Sequence, residues 1–531
     1  MKIFKNKKKA SISFLALLFI FMVGCTENFD EINTPKDVIV ENDIDGTLLG
    51  AALAQAQYYG LNGDDQAFQR SQSLFSDEYA QYFATTEPNF DSGNFVEIQG
   101  WTNRYYRDVY SRAAPQLLFV EQFTEQNSMP AANAIAKVWR VEMYHRITDF
   151  FGPIIYSEFG NGQTKVAYDS QEDIYHDFFK TLDEAVIVLE QHQGENAFGS
   201  HDLVYGGDVN QWLTFANSLR LRLAMRLVYV EPELARQEAE KAVTAGVMMD
   251  NSDNANVLTT VNSINFYAAI TYIDEFRMSA SMESIMTGYN DPRIDDYFDE
   301  AAIGGGYEGL RNGLPRLEKG SFLEPVHSFI NIKWRPLASG GTNPPNKVMA
   351  TSELYFLRAE GALRGWQMGG TAEELYNEGI RTSMREERVT ASDTEIESYI
   401  VSTNTPKPTE DLWESPAMTD IPVLYQSSGD IETQLEQIIT QKWIALYPDS
   451  REAWSERRRT GYPVGYALVE SFNPDILENE MMRRLKFTTG EISTNTEAVE
   501  DARTLIDGPD TNYTRLWWDA KPISEFPIPI D

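Results

Sequence analysis

The sequence is nearly devoid of cysteine, with only Cys25 among 531 residues. No intramolecular disulfide can form, and the thiol would have no partner in an oxidising compartment. Histidine is also scarce, and the five histidines form neither an H-E-x-x-H motif nor a close pairing with cysteine. Zinc sites and cysteine–histidine catalysis therefore lack support, and we predict no metal ion.

Basic residues are outnumbered, with 45 Lys and Arg against 80 Asp and Glu and a formal net charge of -35. An acidic surface repels the phosphate backbone, so we expect no nucleic-acid partner. Such an excess of carboxyl groups places two of them at glycosidase spacing by chance, which is no evidence for hydrolysis. A G-x-S-x-G motif is absent, and no helical pattern follows the G-x-G-x-x-G at Gly304, Gly306 and Gly309. We predict no catalytic residue and no cofactor.

Long apolar runs are equally rare, and residues 11–23 form the only one. A helix of that length spans only ~20 Å, short of the ~30 Å core of a bilayer, so a permanent transmembrane helix is not expected. Five lysines precede the run and Gly24-Cys25 follows it, which is the pattern of a bacterial lipoprotein signal. We predict that residues 1–24 are removed and that Cys25 is acylated. An ordinary secreted protein with an unmodified Cys25 is the alternative.

After Cys25 the chain is polar and acidic, and we predict a lipidated tether over residues 25–40. Helical patterns then dominate, and strand signals are sparse. Apolar residues recur at three- and four-residue spacing between Pro130 and Gly152, with a helix breaker at each end. Similar patterns cover residues 66–86, 101–126, 171–192, 209–229, 232–245, 350–365, 371–387 and 431–447. Antiparallel helix pairs of this kind predict a mostly α, solenoid-like fold.

Three regions interrupt the helical rhythm, at about 250–348, 389–430 and 460–531. The first two are rich in Gly, Pro, Asn and Ser with many aromatic residues, and the third is irregular and aromatic. Excursions of this length between helices are often functional. We therefore look for binding residues there.

Several stretches, in their order and spacing, resemble the SusD/RagB family of nutrient-binding outer-membrane lipoproteins of Bacteroidetes, in particular its SusD-like branch. They are FDEINTPKD, RITDFFGPIIYSE, YDSQEDIYHDFFKTLDEAV, DLVYGGDVNQWLTFANSLRLRLAMRL, DPR, VMATSELYFLRAEGALRGW and IITQKWIALYPDSREAWSERRRTGYP. The resemblance implies one SusD-like domain over residues 41–531. Its fold would be a right-handed superhelix of TPR-like helix pairs with long irregular loop insertions.

The resemblance also implies a role. Family members capture an oligosaccharide, or in some cases a peptide, and hand it to a SusC-like TonB-dependent outer-membrane transporter. The implied location is the outer membrane, with the lipid-anchored body facing the cell exterior. Glu27, Asp30 and Glu31, soon after Cys25, resemble the signal that directs such lipoproteins to the outer surface.

Most of the shared stretches have a structural interpretation. Trp212, Phe215 and Leu219 fall on one helical face, so we expect them in the core. Trp366, Trp443 and Trp454 are expected there as well. Arg220, Arg222 and Arg226 are expected to pair with carboxylates rather than to bind an anion.

A sugar presents apolar CH faces and hydroxyl edges, so its site needs flat aromatic rings beside polar groups on loops. We favour Trp334 with Tyr307, because both lie in Gly-rich surroundings, with Asn331 and Arg335 as hydrogen-bonding partners. Burial of any such ring against neighbouring loops is the alternative. Further aromatic candidates are Phe266, Tyr267, Tyr289, Phe322 and Trp413.

Trp101 and Asn103 form a separate candidate pair at the start of a helix, beside the loop EPNFDSGNF. In the SusD/RagB family this neighbourhood often lines the binding face. Packing at the start of the helix is the alternative for Trp101.

Three functions remain open from the sequence. The first is binding of a glycan or related nutrient without altering it, followed by delivery to the transporter. The second is a structural lid or interaction partner of the transporter, with little ligand binding of its own. The third, a surface glycoside hydrolase, lacks a recognisable catalytic constellation.

Overall fold

The computed structural model describes residues 46–61, 63, 65–260, 267, 270, 274–337 and 340–530. The predicted signal peptide, Cys25, the tether and Phe266 lie outside the described residues. The chain divides into two units between Leu49 and Gly50, and the packing below concerns the second unit. The predicted domain bounds stay predictions.

Helices make up most of the described structure. Two π-helical segments, Gln69–Ser76 and Val109–Ala113, adjoin short α-helices. Within the described ranges, no helix has the length and apolar character needed to cross a membrane. In chain order the α-helices are α1 Gly46–Gly60, α2 Asp65–Phe68, α3 Asp77–Tyr79, α4 Gln99–Asp108, α5 Ala114–Gln126, α6 Pro130–Phe151, α7 Gln171–Gln191, α8 Val209–Arg226, α9 Pro232–Ala245, α10 Ala280–Tyr289, α11 Ile294–Tyr297, α12 Thr351–Leu363, α13 Ala372–Met384, α14 Asp393–Ile400, α15 Ile431–Leu446, α16 Ser450–Thr460, α17 Thr489–Thr494 and α18 Thr496–Arg503.

Short strands tie distant loops together. Strand β1 (Phe83–Thr85) pairs antiparallel with β3 (Phe276–Met278), and Phe83 lies opposite Met278. Strand β2 (Ala255–Val257) pairs antiparallel with β4 (Asn346–Met349). Each pair is only three or four residues long, so the strands position loops and do not form a layer of the fold.

Local sequence explains where the long helices begin and end. Helix α6 starts with Pro130 in its first turn and stops at Gly152, whose positive φ of 82° suits glycine. At the start of α7, the Ser170 hydroxyl accepts a hydrogen bond from the Asp173 amide. At α13, Thr371 and Glu374 form a reciprocal capping box.

Consecutive helices pack against one another along the chain. Helix α5 packs on α6, α6 on α7, α7 on α8, and α8 on α9. The second run continues from α8 to α12, which packs on both α13 and α15, and α15 packs on α16. This stacking of neighbouring pairs is a TPR-like superhelix, and it confirms the predicted mostly α fold class.

Buried ion pairs join the two runs of helices. The Arg222 guanidinium on α8 donates to both Glu353 carboxylate oxygens on α12, at 2.8 and 2.6 Å. Arg226, one turn later, donates to Glu452 at 2.6 Å and Glu456 at 2.7 Å on α16. Together with the pairing of Arg220 to Asp183 and Glu238, these contacts confirm the prediction for the three arginines.

The predicted core tryptophans are buried, with one exception. Trp212 is fully buried and donates its indole N–H to Asp202 at 2.7 Å. Trp443 and Trp454 are 1% exposed. Trp366, on the loop after α12, is only partly buried.

The irregular regions contain more helix than their composition predicts. Helix α10 lies within residues 250–348, where the Ser279 hydroxyl caps it by accepting from the Met282 amide. Helix α14 lies within 389–430 and begins with a capping box of Ser392 and Glu395. Short capped helices of this kind are hard to recognise beside Gly- and Pro-rich segments, because only one or two turns carry the periodicity.

Candidate ligand-binding site

Two neighbouring loops expose aromatic and apolar side chains beside the start of α4. We call residues 87–91, Trp101 and residues 316–322 the aromatic loop surface. The rings of Phe90 and Trp101 meet edge to face, with centroids 5.6 Å apart and planes at 86°. Phe322 is 62% exposed and Leu317 is 97% exposed. Exposed rings on loops held by a rigid scaffold are typical of ligand-binding surfaces.

Hydrogen bonds fasten the two loops to each other. The Lys319 ammonium donates to the Phe90 carbonyl at 3.1 Å and to Asn94 Oδ1 at 2.9 Å. Arg316 Nε donates to Asp91 Oδ1 at 2.8 Å. Because these bonds connect the segments that carry Phe90 and Phe322, the surface is held in place before any ligand arrives.

A buried carboxyl group lies beneath this surface. Glu78 is fully buried, and neither of its oxygens has a hydrogen-bond partner among the described residues. Burial raises the pKa of Glu78 well above its usual range, and the charge of Lys319 opposes this shift. Burial also lowers the pKa of Lys319. Both shifts favour the neutral forms, as expected where water is excluded.

Polar groups surround the exposed rings. Asn89 donates its side-chain amide to Glu87 at 2.7 Å. Asn103 donates to Thr489 Oγ1 at 2.6 Å and accepts from the Gly490 amide at 2.7 Å. Asn103 therefore attaches the start of α17 to α4. The aromatic loop surface presents both hydrogen-bond donors and acceptors beside its rings.

One carboxyl group close to the aromatic loop surface titrates near neutrality. Gln69 donates to Glu275 at 3.0 Å. Burial and the charge of Glu87 raise the pKa of Glu275 to about 7. A carboxylic acid that keeps its proton near neutral pH is what a glycosidase needs as a general acid, so hydrolysis deserves a direct test.

A separate cavity of about 800 Å³ lies beside α10, and we call it the tyrosine cavity. Two predicted site residues, Tyr289 and Tyr307, line it. The hydroxyl of the partly buried Tyr307 donates to Asp295 Oδ1 at 2.6 Å. Tyr289 is 2% exposed and donates to the Ile421 carbonyl at 3.0 Å. The structure thus places Tyr307 on the wall of this cavity, and Trp334 is not among the residues that line it.

The structure corrects the favoured role of Trp334. Its side chain is 5% exposed, and the indole N–H donates to the Asp296 carbonyl at 2.8 Å. Its ring meets those of Tyr297 and Tyr447 at centroid distances of 6.1 and 5.5 Å. Trp334 has no open face for a sugar, because these two rings pack against it and the Arg388 guanidinium lies 5.9 Å from its ring centroid.

The polar residues near Trp334 stabilise the loop itself. Asn331 donates to the Asp295 carbonyl at 3.0 Å and to Asp299 Oδ1 at 2.8 Å. Arg335 donates to the Ile330 carbonyl at 2.8 and 2.6 Å and pairs with Asp299. These bonds occupy the groups that were predicted to meet a ligand.

Tyr267 is also buried. It is 4% exposed, its hydroxyl bonds the Pro448 carbonyl at 2.5 Å, and its ring meets Phe68 edge to face. The prediction that Tyr267 forms a sugar platform is therefore corrected as well. Phe266 cannot be placed, since it lies outside the described residues.

Sequence reasoning missed two members of the aromatic loop surface, Phe90 and Leu317. Phe90 lies in the loop EPNFDSGNF that drew attention to Trp101, and its position among turn-forming residues was a usable signal. Leu317 is a single leucine among charged neighbours, so only the structure shows its exposure.

A further cluster that the sequence did not suggest joins α7 to the start of α9. Glu172, His176 and Glu231 place one potential ligand atom each within 4.8 Å of one another. His176 Nε2 lies 2.9 Å from Glu231, and none of the three side chains is buried. A hydrogen-bonded histidine–glutamate pair accounts for this arrangement.

Comparison with known proteins identifies the family. A family model described as Susd and RagB outer membrane lipoprotein, SusD-like, matches residues 31–519. The chain belongs to the SusD-like family. The curated proteins include no match.

Solved SusD homologues share the fold over nearly their whole length. A chitin-binding SusD homologue from Flavobacterium johnsoniae is 34% identical, with 89% of this chain and 99% of that chain covered and a TM-score of 0.81. A SusD homologue from Bacteroides thetaiotaomicron is 33% identical, with 89% and 99% covered and a TM-score of 0.80. One from Bacteroides uniformis is 32% identical, with 89% and 99% covered and a TM-score of 0.81.

Proposed function

We propose that this SusD-like protein is a lipid-anchored protein of the outer membrane that binds an oligosaccharide at its aromatic loop surface without altering it. The bound sugar then passes to a SusC-like TonB-dependent transporter. The single observation that carries the sugar-binding proposal is the edge-to-face pair of the partly exposed Phe90 and Trp101 rings, with the exposed Phe322 ring on the loop that is hydrogen-bonded to Phe90. Family membership and the chitin-binding homologue from Flavobacterium johnsoniae support the ligand class.

Aromatic rings beside polar groups match the apolar face and the hydroxyl rim of a sugar. A pyranose offers a flat apolar face, which stacks on an exposed aromatic ring, and a rim of hydroxyls, which needs donors and acceptors. Phe322 and Trp101 supply rings, and Asn89, Glu87 and Arg316 supply polar groups. An exposed surface favours binding over catalysis, because a catalytic site must exclude water around its reacting groups.

The test is calorimetry on the protein without residues 1–24, with a panel of oligosaccharides that includes chitin oligomers. We expect Phe322→Ala to weaken binding of the recognised sugar about tenfold, the loss of roughly 1–1.5 kcal/mol for one aromatic contact. Ile187→Ala is the matched control, since Ile187 is an exposed apolar residue on α7 and is 56% exposed. Equal binding by Phe322→Ala and wild type would refute the site.

The same protein without residues 1–24 distinguishes the two alternative functions, the transporter lid and the glycoside hydrolase. If no sugar or peptide binds while the transporter co-purifies with the protein, the protein acts as a lid. Release of shortened products from a labelled glycan, abolished by Glu275→Gln, would establish hydrolysis; Glu275 is the residue to replace because burial raises its pKa to about 7.

A further inference from the structure

We infer that the tyrosine cavity is a second binding site, which takes a saccharide bearing a free primary amine. The cavity is lined by parts of α10, α11 and α14 together with segments 306–308 and 402–410. It shares no lining residue with the aromatic loop surface. Binding at the tyrosine cavity can therefore be tested independently of the sugar-binding role of that surface.

The lining of the cavity is strongly acidic. Lys407 is the one basic residue among its lining residues. The charge of Asp291 is offset by Arg293, which donates to both of its oxygens at 2.9 and 2.6 Å. The remaining carboxylates make the potential inside the cavity negative, so a cationic ligand is favoured over a neutral one. These carboxylates belong to Glu283, Asp295, Glu308, Glu395 and Glu410.

Glu283 gives the cavity a specific receptor for a charged N–H group. Its side chain is 5% exposed, and one oxygen accepts a hydrogen bond from the Gly309 amide at 2.7 Å. The other oxygen makes no hydrogen bond within the described part of the chain, although the residue lines the cavity. Burial, with the nearby charge of Glu308 adding to it, raises the pKa of Glu283 to about 7. An ammonium group at this oxygen would supply the missing partner.

The other lining groups suit a sugar ring better than a bare ion. Tyr307 offers a partly exposed ring, and its hydroxyl is fixed by Asp295. Ser398, Ser402 and Asn404 place hydroxyl and amide groups along the opposite part of the lining. A volume of about 800 Å³ lies in the range of small-ligand pockets, ~300–1,000 Å³, whereas a divalent cation needs no such space.

The test compares two trisaccharides of the same length, the trimer of N-acetylglucosamine and the trimer of glucosamine, which differ in amine charge. Calorimetry at pH 7 and low ionic strength is expected to show the amine trimer binding at least tenfold more tightly to wild type. The variant Glu283→Gln, which removes the charge of this receptor and keeps a carbonyl oxygen for the Gly309 amide, is expected to lose this preference. Glu190→Gln, an exposed change on α7, is the control for the loss of negative charge in general.

Every outcome of this experiment either supports or contradicts amine recognition in the tyrosine cavity. Equal affinities of wild type for the two trimers, or an amine preference that survives Glu283→Gln, would overturn the inference. Phe322→Ala is expected to keep the full preference, and its loss there would place amine recognition on the aromatic loop surface instead. Unchanged unfolding midpoints of Glu283→Gln and Phe322→Ala would show that both variants fold.

Discussion

Arg222 shows how much charge this protein places away from water. It contacts Glu353 on α12, and the Val348 carbonyl on β4 also accepts from it at 3.1 Å. The buried Lys442 ammonium lies 3.3 Å from Glu456 and 3.8 Å from Glu452. Charges buried in this way are tolerated only as pairs, because each partner replaces the water that the other has lost.

Replacing Arg222 with methionine tests this pairing. Arg222→Met keeps most of the side-chain volume but removes both guanidinium hydrogen bonds from the buried Glu353, which keeps, among the described residues, only the Lys442 ammonium at 3.9 Å. The free energy of unfolding should therefore fall by about 3–5 kcal/mol. Urea denaturation followed by circular dichroism measures the change.

Arg381→Met is the control at the same scale. Arg381 on α13 pairs with Glu397 at 2.7 Å, but Glu397 is half exposed. Solvent screens such a pair, so the free energy of unfolding should change by less than about 1 kcal/mol. Similar decreases in the free energy of unfolding for the two variants would show that burial does not increase the contribution of the Arg222–Glu353 pair to stability.

At the scale of elements, the contact of α12 with α13 depends on a small residue. Gly379 lies in α13, and a Cβ atom there would be 2.8 Å from two ring carbons of Phe356 on α12. Phe356 is fully buried, so its ring has no space into which to move. At Gly361 of α12, by contrast, the near neighbour is Met368 of the following loop.

Gly379→Ala should therefore destabilise the protein. Overpacking at Phe356 is expected to exceed the gain of about 1 kcal/mol in helix propensity, for a net loss of roughly 1–2 kcal/mol in the free energy of unfolding. Thermal and urea unfolding measure this change in the free energy of unfolding.

Gly100→Ala is the matched control, since Gly100 lies in α4 with nothing within 4 Å of the Cβ position. That variant should be neutral or more stable by up to about 1 kcal/mol. Stabilisation by Gly379→Ala as well would mean that the two helices are not in tight contact there.

At the scale of the whole molecule, a helical scaffold carries the loops that we propose to meet ligand. The solenoid packs its helices on one another, and strand pairs such as β1 with β3 hold distant loop segments beside it. The aromatic loop surface combines residues from 87 to 322, more than two hundred positions apart. Because these loops lie outside the packing of helix on helix, replacing a residue in them should leave the core undisturbed.

The anchor is tested by Cys25→Ala. The body should fold as in wild type, since the change lies outside the unit that contains its core, but the protein should leave the outer membrane because acylation of Cys25 is lost. Membrane fractionation with detection of the protein measures this. Wild-type levels of the variant in the outer membrane would contradict a lipoprotein anchor at Cys25.

The helical part of the fold was predictable because helices record their periodicity locally. The predicted segments 232–245 and 171–192 correspond to α9, Pro232–Ala245, and α7, Gln171–Gln191. The short helices α10 and α14 were not predicted, since one or two turns give little periodic signal. The ion pairs of Arg222 and Arg226 followed from composition, because an acidic chain offers buried arginines many carboxylate partners.

The sequence by itself determined the helical solenoid, the family and the predicted lipid anchor, because periodic patterns, motif order and a signal segment are all local properties. Only the tertiary structure decided which aromatic rings face solvent. Trp334 and Tyr267 are buried, whereas Phe322 is open and Tyr307 borders a cavity. Exposure depends on contacts between segments far apart in the chain, and a loop sequence rich in glycine and aromatics is compatible with either outcome.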